Sequence, residues 1–159
     1  MNILMCSVGR RGELIKDFKQ SVEVGSKIIS TDNNPYAPVA YLADKTYLVP
    51  RIDAPKYIET LLDICKKEQI QAVVTFIDPE IEILSKHRAE FAAIGVELLV
   101  PYEKTAHLCF DKFEMYKHLK SCGIPTVETW GDLDSFSQAL FIGTVGFPVF
   151  VKPRTGRGS

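Results

Sequence analysis

Over its first hundred residues the chain alternates short apolar runs with stretches of helical periodicity. This alternation constrains the fold more than any other feature. The runs at 3–8, 28–30, 46–49, 72–76 and 96–100 have strand length, and the fourth is nearly all apolar, as a strand covered on both faces requires. Between them lie helical stripes. Residues 13–22 place Leu14, Ile15, Phe18 and Val22 on one face, and a short helix follows the Asn33-Asn34-Pro35 turn through Leu42. A third helix, capped by Asp53 with Pro55 in its first turn, turns Ile58, Leu61, Leu62 and Cys65 inward. A fourth opens at Asp78-Pro79 and runs to Gly95 with Ile81, Leu84, His87 and Phe91 inward. Strands alternating with helices predict a parallel sheet with right-handed crossovers, so residues 1–101 read as a Rossmann-like α/β domain.

The pattern changes after residue 101. Residues 103–122 are helical, in two pieces that break near Phe110 and Asp111, and Gly123-Ile124-Pro125 stops the second. Strands are expected at 127–130 and 149–152. Between them lies a helix over 132–141, capped by Asp132 or Asp134. Residues 102–159 therefore read as an incomplete α+β unit that breaks off in a glycine-rich loop.

Several functions are disfavoured by composition. Net charge is -1, so no basic excess draws nucleic acid. No apolar run approaches the roughly 20 residues that span a bilayer, and the start lacks the order of a secretory signal, so a cytoplasmic protein is expected. Cys6, Cys65, Cys109 and Cys122 form no ligand spacing. The first three are expected on apolar faces, with Cys122 at a helix end. His87 reads as a packed core histidine, and Trp130, the only tryptophan, as a packing residue.

Two places carry chemistry. In the first loop, Ser7-Val8-Gly9-Arg10-Arg11-Gly12 leaves strand one and opens a helix. Open α/β sheets bind ligands at that edge, and helix N-termini attract anions. Gly9, Arg10 and Arg11 are candidates to clamp a carboxylate or phosphate; a tight turn with exposed arginines is the plain alternative. Asp32 ends strand two, where dinucleotide folds place a ribose-binding acid, but G-R-R-G is not the G-x-G-x-x-G fingerprint. Asp78 and Glu80 follow strand four at the same edge, as helix-dipole acids or, alternatively, as contacts to a substrate amine. The second place is the last segment, FPVFVKPRTGRGS, in which a strand delivers Lys152 into a loop with two glycines. Glycine lets backbone N–H groups approach phosphate, and the lysine supplies a fixed cation. The lysine precedes the glycines, so this is not a Walker A loop.

The last segment resembles the ATP-grasp superfamily, whose second nucleotide-binding lysine stands on a strand before a glycine-rich loop. Upstream, D-K-F-E-M-Y-K-H-L-K-S-C-G-I-P-T is similar to that family's opening motif, with Lys112 as the first lysine and Lys152 forty positions later. The front half, through S-V-G-R-R-G-E-L, T-D-N-N-P-Y-A-P-V-A-Y-L-A-D and V-T-F-I-D-P-E, resembles a branch related to the carbamoyl-phosphate synthase large subunit. The resemblance implies a pre-ATP-grasp substrate domain over 1–101 and the first part of an ATP-grasp domain over 102–159. It implies a ligase that activates a small-molecule carboxylate as an acyl phosphate for attack by an amine, using ATP and Mg2+. Lys112, Lys152, Arg154, Thr155, Gly156, Arg157, Gly158 and Ser159 would form the ATP site. Arg154 and Arg157 either touch phosphate or are solvated loop charges. The metal ligands of such enzymes fall further along, so none is assigned in this chain, and these residues alone are expected not to turn over. The expected partners are a second copy or a complementary subunit carrying the rest of the domain. The competing reading is a non-catalytic Rossmann-like module that binds a nucleotide or metabolite.

Overall fold

The computed structural model describes residues 1–156 and divides into two compact units, Met1–Glu103 and Lys104–Ser159. In the first unit five parallel strands form one sheet: β1 (Ile3–Cys6), β2 (Ile28–Asp32), β3 (Lys45–Leu48), β4 (Ala72–Thr75) and β5 (Glu97–Leu98), in the spatial order β3-β2-β1-β4-β5. The register pairs Ile3 with Ile28 on one side and with Ala72 on the other. Adjacent residues of β1 point to opposite faces. Ile3 and Met5 pack on one face with Ile15, Ile28 and Val39, beneath α1 (Gly12–Ser21) and a 3-10 turn, Pro38–Tyr41. Leu4 and Cys6 pack on the other with Leu61, Leu84 and Phe91, beneath α2 (Tyr57–Lys67), α3 (Asp78–Lys86) and α4 (Arg88–Ala93). The doubly covered β1 and β4 are buried at every position, matching their unbroken apolar sequence. Each large side chain hidden in this way contributes about 1.5–3 kcal/mol.

Several expectations are corrected here. The helix through Leu42 is only the single 3-10 turn. Asp53 caps nothing. Two successive turns, Ala54 N–H to Arg51 O and Tyr57 N–H to Ala54 O, occupy the chain before α2, and the Asp53 carboxylate pairs with Arg51 at 3.2 Å. The helix from Asp78 breaks at His87, whose φ and ψ of -101° and 12° leave the helical region. His87 is therefore not a core residue: its half-exposed ring lies 2.6 Å from Glu90, while Leu84 and Phe91 fill the core from the two shorter helices. Cys109 is exposed rather than packed, as is Cys122.

In the second unit the expected break falls at Asp111, between α5 (Glu103–Phe110) and α6 (Lys112–Ser121). The Asp111 carboxylate caps α6 by accepting the Phe113 and Glu114 N–H groups at 3.0 and 3.1 Å. α7 (Leu133–Phe141) is capped by Asp132, which accepts the Ser135 N–H at 2.7 Å. Trp130 packs edge-on to Phe136, their centroids 5.7 Å apart. The expected strands at 127–130 and 149–152 do not form: among the described residues of this unit no strand is present. No neighbouring strand accepts their backbone groups there, and Val127, Phe150 and Val151 are exposed. No described helix is long and apolar enough to cross a membrane.

Candidate functional site

In the first unit the candidate residues gather where the sheet's strand order reverses. β1 is followed outward by β2 on one side and flanked by β4 on the other, so the crevice between their carboxyl ends is the ligand position of open α/β sheets. Ser7 leaves β1 with φ +49°, an uncommon value for a side-chain-bearing residue, while its N–H still donates to Thr31 O at 3.0 Å. Gly9 follows at φ +60°, where its N–H donates to Asp32 Oδ2 at 3.1 Å. The other Asp32 oxygen accepts the Asn34 N–H at 2.8 Å. One buried carboxylate thus ties the loops after β1 and β2 together. Arg10 and Arg11 are exposed beside it and form no ion pair among the described residues.

Asp78 and Glu80 share the first turn of α3 but differ in environment. Asp78 is exposed, whereas Glu80 is fully buried, unlike a surface acid placed for the helix dipole. The Tyr57 hydroxyl donates to one Glu80 oxygen and the Thr75 hydroxyl to the other. Burial pushes the Glu80 carboxyl above the ordinary carboxylate range. Hydrogen bonds from Thr75, Tyr57 and Ser7 oppose that shift, and the charge of Asp32 adds to it. Desolvation also raises the Tyr57 phenol and the Cys6 thiol, so both stay neutral. Tyr57, Thr75 and Ser7 are the members that sequence reading passed over. Tyr57 at a helix start had no distinguishing signal, and Thr75 was hidden inside an apolar strand.

The second unit brings together residues far apart in sequence. The Lys112 N–H donates to Arg154 O at 3.0 Å and its ammonium to Gly156 O at 3.0 Å. Gly156 has φ +97°, which a Cβ would strain. Arg154 donates from Nε to Asp111 Oδ2 at 2.6 Å and from Nη2 to Glu114 Oε1 at 2.8 Å. Desolvation works to raise the Asp111 carboxyl, but the Glu114 N–H, Arg154 and the Phe113 N–H together hold it below its usual range. Lys152 and Thr155 are exposed. Arg157, Gly158 and Ser159 lie outside the described residues. Asp111 and Glu114 were not assigned from sequence, although D-x-x-E before a helical stripe is a cap signature.

No curated protein matches the chain. Among solved structures it is similar to N5-carboxyaminoimidazole ribonucleotide synthetase from Thermotoga maritima. That match has 24% identity and a TM-score of 0.67, covering 98% of this chain and 39% of that one. N5-carboxyaminoimidazole synthetase from Staphylococcus aureus, complexed with ADP, matches at 19% and 0.68, covering 98% and 39%. The biotin carboxylase domain of Hydrogenobacter thermophilus 2-oxoglutarate carboxylase, in complex with MgADP, ADP and bicarbonate, matches at 20% and 0.70, covering 99% and 35%. The chain thus spans about two-fifths of the length of these structures and shares their fold over that part. Residues 3–99, well over half of the chain, match the family described as PylC-like, N-terminal domain. With that match over most of its length, the chain belongs to the family described as PylC-like, N-terminal domain.

Proposed function

We propose that this chain is the N-terminal part of an ATP-dependent carboxylate–amine ligase working through an acyl phosphate. In this reading residues 1–101 hold the acceptor substrate at the β1–β4 crevice, and residues 102–159 begin the nucleotide site. The observation that carries the reading is the meeting of two distant motifs: Lys112, opening α6, donates to the backbone of the loop that follows Lys152. Lys112 and Lys152 would neutralise nucleotide phosphate, and the loop backbone around Thr155 and Gly156 would bend over it. ATP, when bound, supplies the phosphoryl group that makes a carboxylate a good acyl donor. The chain's own part is positioning and charge neutralisation.

At the front crevice, Arg10 and Arg11 suit an anionic substrate group and Asp78 an amine. Glu80 and Asp32 form the buried frame beneath them. Among the described residues no group of three His, Cys, Asp or Glu side chains could hold a metal ion, so no step is assigned to Mg2+ here. Within the superfamily, the front-half motifs favour the branch related to the carbamoyl-phosphate synthase large subunit.

The test is ADP release from Mg-ATP by the full-length protein, against a panel of carboxylates and amines, with Lys152→Ala and Lys112→Ala alongside. Turnover that needs one acceptor pair and falls at least a hundredfold in either variant supports the ligase. Nucleotide binding without turnover for any pair points instead to a binding module. Residues 1–159 alone are expected to release no ADP.

A further inference from the structure

Arg154 stands in the loop where a phosphate ligand would be sought, yet two of its five N–H donors already hold carboxylates. Nε meets Asp111 at 2.6 Å, Nη2 meets Glu114 at 2.8 Å, and the guanidinium lies 5.6 Å from the centre of the Phe113 ring. The backbone closes the same junction, because the Lys112 N–H donates to Arg154 O at 3.0 Å. Asp111 uses both oxygens in turn. One of its oxygens caps α6 through the Phe113 and Glu114 N–H groups, and the other takes Arg154. Two carboxylates therefore face one guanidinium. Lys117, 2.7 Å from Glu114, supplies the second positive charge that balances them.

An arginine held this way has its charge already paired with carboxylates. A phosphate that displaced either of them would have to break a charge-assisted hydrogen bond, which is about twice as strong as a neutral one. The pairing does something else. It fastens the chain at 154 to the first turn of α6, and two residues further on Gly156 O receives the Lys112 ammonium. The lysine and the loop are thus set relative to each other by a side chain that need touch neither phosphate nor metal.

We infer that Arg154 is a positioning residue: through Asp111 and Glu114 it clasps the loop to the start of α6, holding Lys112 and the loop backbone in one arrangement. This rests on the nucleotide reading above only for its consequence; the clasp itself is a property of the second unit.

The test uses the full-length protein with Arg154→Ala, Asp111→Asn and the double variant. Asparagine caps helices as well as aspartate, so Asp111→Asn removes the charge and keeps the cap. Two quantities are read: hydrogen exchange of the Lys112 amide, which donates to Arg154 O, and the Kd for Mg-ATP by calorimetry. The clasp predicts that each single variant speeds exchange of the Lys112 amide at least tenfold, with α7 amides unchanged. It also predicts that each weakens Mg-ATP by the same five- to twentyfold and that the double variant is no worse than either single. Arg154→Lys, which can restore one pair but not two, should fall between.

Three results overturn it. One is Lys112 amide exchange unaltered in both single variants. A second is a large affinity loss in Arg154→Ala with no loss, or a gain, in Asp111→Asn, which would make Arg154 a direct phosphate ligand. The third is faster exchange across the whole unit with a lowered Tm, which would make the pair merely structural. If the unaltered protein binds no nucleotide, the nucleotide reading fails, and the exchange experiment still decides the clasp on its own.

Discussion

Two halves of this chain treat their apolar side chains in opposite ways. The Met1–Glu103 unit buries them from both faces of a paired sheet, while the Lys104–Ser159 unit leaves Phe141, Phe147, Phe150 and Val151 in water. Among the described residues, only Ala106 and Ala139 of the second unit join the buried apolar set. The difference is not one of composition, since residues 149–152 are as apolar and β-branched as many strands. It is one of backbone partners. A strand is stable only when its N–H and C=O groups meet another strand, and apolar side chains are hidden only when something packs on that strand's faces. β1 has β2 and β4 beside it and helices on both faces; residues 149–152 have neither.

The strongest way to break this contrast is to cut a core residue in the first unit. Leu61→Ala should cost about 2–5 kcal/mol, read as a lower urea midpoint by far-UV circular dichroism. A loss below about 1 kcal/mol would mean that the α2 face is not the packed layer described.

Next in size is the buried acid. Glu80→Ala removes the carboxylate that accepts from the Tyr57 and Thr75 hydroxyls, and should cost about 1–3 kcal/mol if no water replaces it. The same residue gives a pH signature. Its folded-state pKa lies above the ordinary 4.5, so the folded form holds the proton more tightly. That contribution is complete below the unfolded value and is lost as pH rises through the folded one. Glu80→Gln should therefore flatten the decline of stability with rising pH, and an unchanged slope would show that the Glu80 carboxyl binds its proton equally well in the folded and unfolded states.

A smaller effect sharpens the second unit. Asp132→Ala removes the α7 cap and should cost that unit about 1 kcal/mol. The only tryptophan, Trp130, lies in this unit and reports on it. Its fluorescence transition should move to lower urea while the circular dichroism midpoint of the sheet stays in place. Coincident shifts of both signals would mean that the two units unfold together. Smallest of all, Phe141→Ala should change stability by less than about 0.5 kcal/mol, because its ring is already exposed.

Much of the first unit was legible because periodicity records burial. The apolar strands and the stripe at Leu14, Ile15 and Phe18 identified five strands and the helices between them. The α7 cap was narrowed to Asp132 or Asp134 and the helix break to the neighbourhood of Asp111, since a short acid before a helical stripe has a local physical role. What misled was also local. Asp53 resembles a cap until two tight turns are seen to intervene, and His87 resembles a core residue until the helix breaks there.

The sequence by itself determined the parallel α/β order of the first unit and the placement of the polar loops at strand ends, because each follows from spacing along the chain; Lys112 became a candidate through the resemblance of its motif. Only the tertiary structure decided that Glu80 is sealed beneath Tyr57 and Thr75 rather than exposed like Asp78, and that Arg154 is committed to Asp111 and Glu114. It also decided that two strand-like segments stay unpaired. These depend on which side chains or backbone groups meet once the chain is folded, up to 43 residues apart in sequence. No local pattern encodes that, because desolvation and pairing are properties of the assembled neighbourhood.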